Sequence, residues 1–214
     1  MKERPILFSG PMVRAILDGR KTQTRRPIKP QPPAYIDELY GGELRQRAPY
    51  QLECHETGCV LGYGLEDDNG QLYQCPFGVP GDRLWVRETF KADGEFAKYK
   101  TGRVRYLADI EPPAYERGWR PPIHMPRWAS RIVNEVVSVR VERVLDITEA
   151  DAEAEGFEAT FDRDGSAYGA LLITARERFL TAWRDIYGQE SLDANEWVWV
   201  VEFKRLEQES ARAH

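Results

Sequence analysis

Two segments of the chain alternate hydrophobic and polar residues with the two-residue period of a β-strand. The segment "SRIVNEVVSVRVERVLDI", residues 130–147, is rich in β-branched residues and predicts one bent strand or two. The segment "EWVWVVEFKRL", residues 196–206, predicts a closing strand. The residues expected to share one face are Val137, Val139 and Val141 in the first segment, and Trp197, Trp199, Val201 and Phe203 in the second. These segments predict the main strands of the fold.

Three short helices are predicted by apolar stripes between capping residues. The first follows "SGP" and ends at Gly19, so "RKTQTRR" continues as a loop or a strand. The second begins at Thr148, with Asp151 three residues later as in a capping box, and ends near Gly156. The third has the cap Thr174, the box residue Glu177, the stripe Phe179, Ala182, Trp183 and Ile186, and the terminator Gly188.

The regular segments form a frame that is interrupted twice. Shorter strands are predicted at "PILF", residues 5–8, and within "PGDRLWVRETF", residues 80–90, where Leu84 and Val86 share one face. Residues of about 30–80 are rich in proline and glycine and predict an irregular insertion without a core, with a "DNG" hairpin signal at 68–70. A second excursion covers about 91–120. We therefore expect one domain over 1–206, followed by a flexible tail over 207–214.

Composition limits the classes of function. The 214 residues include 35 acidic and 30 basic side chains, a net charge of −5, so any contact with nucleic acid requires local basic patches. The N-terminal residues lack the apolar core of a signal peptide, and no segment has the roughly 20 apolar residues of a membrane span. We expect a soluble, cytoplasmic protein with no membrane partner.

Three cysteines lie close together in sequence. Cys54, Cys59 and Cys75, with His55 beside the first, are residue types that hold a structural zinc ion. Neither cysteine pair has the two-residue separation of a zinc knuckle, so three unlinked thiols are the alternative. An odd number of cysteines without an export signal argues against a disulfide framework.

Four segments resemble the ASCH domain family, whose fold is a PUA-like β-barrel. They are "DGRKTQTRR", "PGDRLWVRE", "ITEADAEAEGF" and "WVWVVEFKRL", and they occur in the order found in that family. Together with "MPRWASR", they make the chain similar to the longer ASCH proteins of phage and bacterial genomes. The resemblance agrees with the strands and capped helices, and we expect an α+β fold: a small, mostly antiparallel β-barrel decorated by short helices, with a long irregular insertion.

The resemblance also implies an activity. The best-understood small ASCH proteins are amidohydrolases that remove the acetyl group from N(4)-acetylcytidine with a lysine, a threonine and a glutamate. The family segment "G-[KR]-K-T-x-T" is "GRKTQT" here, which places the first two roles on Lys21 and Thr24, and the helix "ITEADAEAEGF" places the third on Glu155. No cofactor is required for this reaction. The chain is longer than those relatives, and its insertion has the length to reshape or cover the pocket.

The chemistry of these residue types is consistent with that activity. A threonine hydroxyl attacks an amide only with an adjacent base, and a desolvated lysine can supply one. Neighbouring Arg20, Arg25 and Arg26 would lower the pKa of Lys21. The alternative is structural: a lysine after a helix end, threonines in a strand and a glutamate on a solvated helix face. Because Lys21 and Thr24 are three residues apart, their convergence requires a turn or a bulge.

Two sets of side chains are candidates for substrate binding. Arg20, Arg25 and Arg26 are expected to hold an anionic or carbonyl group of a small nucleoside or nucleotide. Arg87, Trp128 and Arg131 are the types that stack on bases and contact phosphates. They favour a second hypothesis, a module that binds single-stranded or modified RNA or DNA, with nuclease activity as a third.

Overall fold

The structure is a computed structural model, and it describes residues 1–32, 50–53, 60–66, 72–92, 103–110, 117–162 and 171–207. Its strands are β1 (Glu3–Leu7), β2 (Gln23–Pro27), β3 (Tyr50–Glu53), β4 (Val60–Glu66), β5 (Leu72–Gln74), β6 (Arg83–Arg87), β7 (Phe90–Ala92), β8 (Val104–Tyr106), β9 (Val133–Arg143), β10 (Thr160–Asp162), β11 (Leu171–Ile173) and β12 (Trp197–Arg205). Its α-helices are α1 (Gly10–Leu17), α2 (Glu149–Ala154), α3 (Ala175–Tyr187) and α4 (Gln189–Asp193). Short 3₁₀ turns cover Leu107–Asp109, Pro122–His124, Arg127–Ala129 and Val144–Asp146.

The largest sheet has five strands in the order β1, β6, β9, β12, β2. Strand β1 runs parallel to β6, and every other pair in this sheet is antiparallel. With three smaller sheets and the helices, the described residues form the expected α+β fold. Strands β1 and β2 are the two edges of the sheet, and the Arg26 guanidinium on β2 donates to the Leu7 carbonyl on β1 at 2.7 Å. The two edges therefore come within reach of one side chain.

Strand β12 is buried on both faces. Trp197, Trp199, Val201 and Phe203 lie in the main core, as their alternation predicted. The intervening Val198 and Val200 pack in a second core, together with Phe179 and Trp183 of α3. A strand covered on both sides accepts apolar residues at consecutive positions, which explains the run "WVWVV". The second core holds α2 and α3 against the sheet.

Strand β9 is one continuous strand, but the predicted alternation does not hold along its whole length. Its register with β12 shifts between Glu202 and Phe203, so that Phe203 pairs with Val136 and Glu202 with Ser138. Val137 is the extra residue at this bulge and is 49% exposed, whereas Val139 and Val141 are buried. The expected position of Val137 on the buried face was therefore wrong.

The helices begin and end close to the predicted residues. Thr148 caps α2 and forms a reciprocal capping box with Asp151, and Thr174 does the same for α3 with Glu177. In the stripe of α3, Phe179 and Trp183 are buried as expected. Ile186, in contrast, is 69% exposed, because it lies near the end of α3 at the wall of a cavity instead of in the core. Among the described residues, no helix is long and apolar enough to span a membrane.

The insertion contributes more to the core than the sequence predicted. Strands β3, β4 and β5 form a sheet of their own, and the "DNG" signal lies outside the described residues, between paired strands. Tyr73 and Cys75, however, are buried in the main core. The prediction that this region lacks core residues was wrong at these two positions. Strands β7 and β8 of the second excursion pair with each other around a small cluster that includes Phe90.

Candidate functional site

The turn after α1 places Lys21 beside the end of α2. Gly19 has a φ of +76°, and the Lys21 N–H donates to the Ala15 carbonyl at 3.0 Å. The next residue, Thr22, donates its N–H to the Ala154 carbonyl at 2.8 Å, which ties this turn to α2. Strand β2 begins only at Gln23, so the alternation of a regular strand does not apply to Lys21. This turn allows Lys21 and Thr24 to reach the same cavity.

Lys21 and Glu155 form a buried ion pair. The Lys21 Nζ donates to Glu155 Oε2 at 2.6 Å and to the Glu155 carbonyl at 2.8 Å. The two residues are 3% and 4% exposed. Burial is the largest influence on Lys21 and lowers the pKa of its ammonium group. The Glu155 carboxylate opposes that shift, while the charges of Arg26 and Arg25 add to it.

Gly156 permits this close approach of the two turns. Its φ is +91°, a conformation that favours glycine. A Cβ at this position would lie 2.8 Å from the Ala15 Cβ and 3.2 Å from the Lys21 Cβ. Any larger residue here would therefore press against the side chains of Ala15 and Lys21.

Arg25 lies behind the ion pair as a fully buried cation. Its Nη2 donates to Glu142 Oε2 at 2.7 Å and lies 3.4 Å from Asp151 Oδ2. Its Nη1 lies 3.5 Å from Glu155 Oε1, and neither of these two atoms has a hydrogen-bond partner among the described residues. Buried polar atoms without a hydrogen-bond partner indicate a place for water or for a polar ligand.

Arg140 extends this charged network toward the surface. It contacts Glu142 at 2.5 Å and Asp151 at 3.2 Å, and it also pairs with Glu202. Burial alone would raise the pKa of Asp151, but hydrogen bonds from Gln23 and Thr148 and the charge of Arg25 outweigh it and lower that pKa to about 2. Asp151 is therefore a firmly ionised anchor for Arg25.

A cavity of about 140 Å³ lies beside the ion pair of Lys21 and Glu155. Its polar wall consists of Lys21, Thr24, Arg25, Arg26 and Glu155. Its apolar wall consists of Phe8, Met12, Phe157, Phe179, Ala182, Trp183, Ile186 and Tyr187, with Ser9 beside them. A cavity of roughly 150 Å³ is known to hold one benzene molecule, so this space matches a single six-membered ring. Aromatic walls facing a cluster of polar groups are typical of sites for planar ligands.

The candidate residues from the sequence divide into two groups. Lys21, Thr24 and Glu155 line the cavity together with Arg25 and Arg26. Arg20 lies next to it, and its guanidinium pairs with Asp18 at 2.9 Å and with Glu158 at 3.2 Å. Arg87, Trp128 and Arg131 are not among the residues that line this cavity.

The residues of the second group, which do not line the cavity, make contacts elsewhere in the fold. Arg131 binds the buried Glu88 through two nitrogens, at 2.9 and 3.0 Å, and contacts Asp109 at 2.7 Å. Burial raises the pKa of Glu88, and the Arg131 charge opposes that shift. Arg87 donates to the Ile123 carbonyl and lies over the Trp85 ring, and Trp128 is 36% exposed. The structure therefore does not bring Arg87, Trp128 and Arg131 to the Lys21 cavity.

The aromatic wall of the cavity was not predicted from the sequence. Phe179, Trp183 and Ile186 were assigned to a helix stripe that packs in the core, and Phe8 to a strand. The length of the apolar stripe on α3 was the sequence signal that could have indicated this wall. Ile186 lies one turn beyond Trp183 and lines the cavity, and it is not among the residues of the second core.

The proposed zinc ligands are only partly described. Cys54 and Cys59 lie outside the described residues, so a three-cysteine zinc site stays a prediction. The Cys75 thiol is buried, and its burial raises the pKa to about 11, so without a metal it is protonated at neutral pH. Within the described part of the chain, no group of three or more His, Cys, Asp or Glu side chains is arranged to hold a metal ion.

Comparisons of the chain with models of protein families, with characterised proteins and with solved structures find no match. A function for this protein therefore has to be inferred from the cavity and its residues.

Proposed function

We propose that this protein is an amidohydrolase that removes an acyl group from the exocyclic amine of a cytosine-type nucleoside or nucleotide. The observation that carries the proposal is the buried 2.6 Å contact between Lys21 and Glu155, in a cavity of one-ring size that Thr24 also lines. A threonine hydroxyl, a desolvated amine and a carboxyl group are together the groups that amide cleavage needs.

The ion pair can supply both a base and an acid. Transfer of one proton from the Lys21 ammonium to the Glu155 carboxylate gives a neutral amine and a neutral carboxylic acid. Burial lowers the pKa of the Lys21 ammonium, which favours the neutral amine that acts as the base. The contact of 2.6 Å is within hydrogen-bond reach, so the proton moves without any rearrangement of the backbone.

Acyl transfer then follows in two balanced steps. In the first, the Lys21 amine takes the hydroxyl proton of Thr24, Oγ1 bonds to the acyl carbon, and the bond to the exocyclic nitrogen breaks as Glu155 donates its proton to that nitrogen. In the second, the proton passes again from Lys21 to Glu155, the neutral Lys21 amine takes a proton from the attacking water, and Glu155 protonates Oγ1 of Thr24 as the ester bond breaks and the carboxylic acid leaves. Both steps balance with protein groups and water alone, so we propose that catalysis requires no cofactor.

Charge and shape support a planar, acylated ring as the ligand. Arg25 and Arg26 line the polar wall, where positive charge stabilises the oxyanion that forms during attack. Phe157 and Trp183 provide apolar surface for one face of a ring. The same walls exclude water, which strengthens each electrostatic contact within the cavity.

The five-stranded sheet is also open to a more specific fold assignment. We propose that the five-stranded sheet is the curved core of an ASCH-type, PUA-like barrel. The Arg26 contact to the Leu7 carbonyl supports it, because this contact joins the two edge strands β1 and β2. We also propose a cytoplasmic location, which the odd number of cysteines favours because it argues against a disulfide framework.

The test is hydrolysis of N(4)-acetylcytidine by the purified protein, followed as release of cytidine and acetate. We expect Lys21→Met, Thr24→Val and Glu155→Gln each to lower kcat/KM by roughly 100-fold or more, because each residue acts in the bond-making steps. Thr24→Ser keeps the nucleophile and is the matched control, which should retain most of the activity.

Two outcomes would contradict the proposal. The first is the absence of turnover with any acylated cytidine, and the second is turnover that survives Thr24→Val. Binding of RNA or DNA without hydrolysis would instead favour the binding module. In that case Arg87, Trp128 and Arg131 variants would weaken binding, and Glu155→Gln would not.

A further inference from the structure

A second and larger cleft adjoins the Lys21 cavity. Its volume is about 610 Å³, and it shares the side chains of Ser9, Met12, Phe157 and Ala182 with the smaller cavity. Because the two spaces have these walls in common, a ligand whose ring occupies the small cavity lies next to the larger cleft. The part of a nucleoside that extends from the base is its sugar, with any phosphate attached to it.

The larger cleft collects positive charge from three separate parts of the chain. Arg14 comes from α1, Arg20 from the turn after it, and Arg178 from α3. The acidic residues in the same lining are Asp18 and Glu158. Three arginines against two carboxylates leave an excess of one positive charge, in a chain whose net charge is −5. Such a local reversal of sign favours an anionic ligand.

The acidic partners in this cleft are easily replaced. Asp18 and Glu158 each pair with Arg20, and their side chains are 56% and 65% exposed. Exposed ion pairs of this kind contribute little to stability. A phosphate carries up to two negative charges and accepts paired hydrogen bonds from a guanidinium, so it competes well with either carboxylate. The Glu158 carboxylate beside Arg20 shows that an anionic group fits at this position.

We propose that this cleft binds the phosphate of the substrate, so that the protein acts on a cytosine-type nucleotide in preference to the free nucleoside. Arg20 and Arg178 are the residues that hold the phosphate, with Arg14 at the side of α1. This inference rests on the proposed function for its choice of base, but phosphate binding itself can be measured without hydrolysis.

The experiment compares ligands that differ only in the phosphate. Binding of cytidine, cytidine 5′-monophosphate and cytidine 3′-monophosphate is measured by calorimetry, and kcat/KM is measured for the acetylated forms of all three. We expect at least one monophosphate to be preferred by about tenfold or more, as for a hydrogen-bonded contact between charged groups. Raising the salt concentration should reduce this preference, because ions screen the exposed cleft.

Four variants test the residues. Arg178→Gln should abolish most of the preference for the monophosphate, and Arg178→Lys should retain part of it, because the charge remains. Arg184→Gln, six residues further along the same helix and outside the cleft lining, is the matched control and should leave the preference unchanged. Glu158→Gln removes a competing anion and should strengthen monophosphate binding severalfold, a gain that a damaged fold does not produce.

The results separate the two proposals. Equal binding of cytidine and both monophosphates would overturn this inference, as would a preference that Arg178→Gln leaves intact. Failure to hydrolyse any acetylated ligand, with the monophosphate preference still present, would overturn the amidohydrolase and keep the phosphate site. Hydrolysis of acetylated cytidine and both acetylated monophosphates at equal efficiency would overturn the phosphate site and keep the amidohydrolase.

Discussion

The Lys21 Nζ donates a hydrogen bond of 2.6 Å to Glu155 Oε2, across 134 positions of the sequence. The contact joins the turn after α1 to the turn after α2, and both side chains are buried. A buried ion pair is a costly way to stabilise a fold, since each ion loses its hydration. At the wall of a cavity, the same pair holds an amine and a carboxyl group within hydrogen-bond distance of each other, which is the arrangement that the proposed acid–base catalysis uses.

The lowered pKa of Lys21 predicts a specific pH dependence. The active pair holds one proton, so kcat/KM should fall when that proton is lost, at a pH below the ordinary lysine value of 10.5. Arg26→Gln removes a neighbouring positive charge, which favours the protonated amine, so the falling limb of the pH profile should move to higher pH. Arg26→Lys keeps the charge and should leave the limb in place. A limb that does not respond to Arg26→Gln would show that Lys21 does not control it.

Gly156 offers a test of how tightly the Lys21 turn is held. Gly156→Ala places a methyl group against Ala15 and Lys21 in a strained conformation, and we expect it to lower both stability and activity. Gly188→Ala is the matched control, because Gly188 has a similar φ of +89° but nothing within 4 Å of the added methyl. Thermal unfolding should detect strain of about 1 kcal/mol or more in both variants. Only Gly156→Ala should also lower kcat/KM, and equal losses of activity in the two variants would contradict this.

Arg25 should be a major contributor to stability. Arg25→Met leaves Glu142, Asp151 and Glu155 without their shared buried cation, and we expect a loss of about 3 kcal/mol in the free energy of unfolding. Arg184→Met removes an exposed arginine beside Asp185 and should cost less than about 1 kcal/mol. Urea unfolding of both variants measures the difference. Similar midpoints for the two would show that the buried network does not stabilise the fold.

Asp151 should make the protein sensitive to acid. Its pKa of about 2 in the folded protein lies below the ordinary value of 3.8, so its contribution to stability is present above pH 3.8 and is lost as pH falls toward 2. Asp151→Asn should lower the free energy of unfolding by about 1–2 kcal/mol at neutral pH. The gap between wild type and variant should close in acid. A gap that stays constant with pH would exclude this ionised role of Asp151.

Local features of the fold were predictable, because they depend on residues close in sequence. Thr148 and Asp151 specify the start of α2 through hydrogen bonds three residues apart, and Gly188 ends α3 at a positive φ. The alternation in β12 identified its core face, because that pattern repeats every two residues. The parallel pairing of β1 with β6 depends on contacts between segments far apart in sequence, and no local pattern specifies it.

The resemblance to a known family identified three polar residues of the cavity, whereas Arg87, Trp128 and Arg131 were predicted for the site and do not line the cavity, and its apolar wall was not predicted. "GRKTQT" and the end of the α2 segment indicated Lys21, Thr24 and Glu155, and the structure brings all three to one cavity. The burial of Arg25 was not predictable, because its three acidic partners come from β9 and from the α2 region. The exposure of Val137 follows from a bulge whose position is set by pairing with β12.

The amidohydrolase mechanism requires that Thr24 carry the acyl group for part of each cycle. The most direct measurement is the mass of the intact protein after rapid mixing with N(4)-acetylcytidine and acid quenching, followed by fragmentation to locate any modification. We expect a transient species heavier by one acetyl group, with the group on Thr24, and its absence from Thr24→Val. Release of cytidine by wild-type protein with no acetyl group found on Thr24 at any time, or at equal rates by Thr24→Val, would contradict the mechanism.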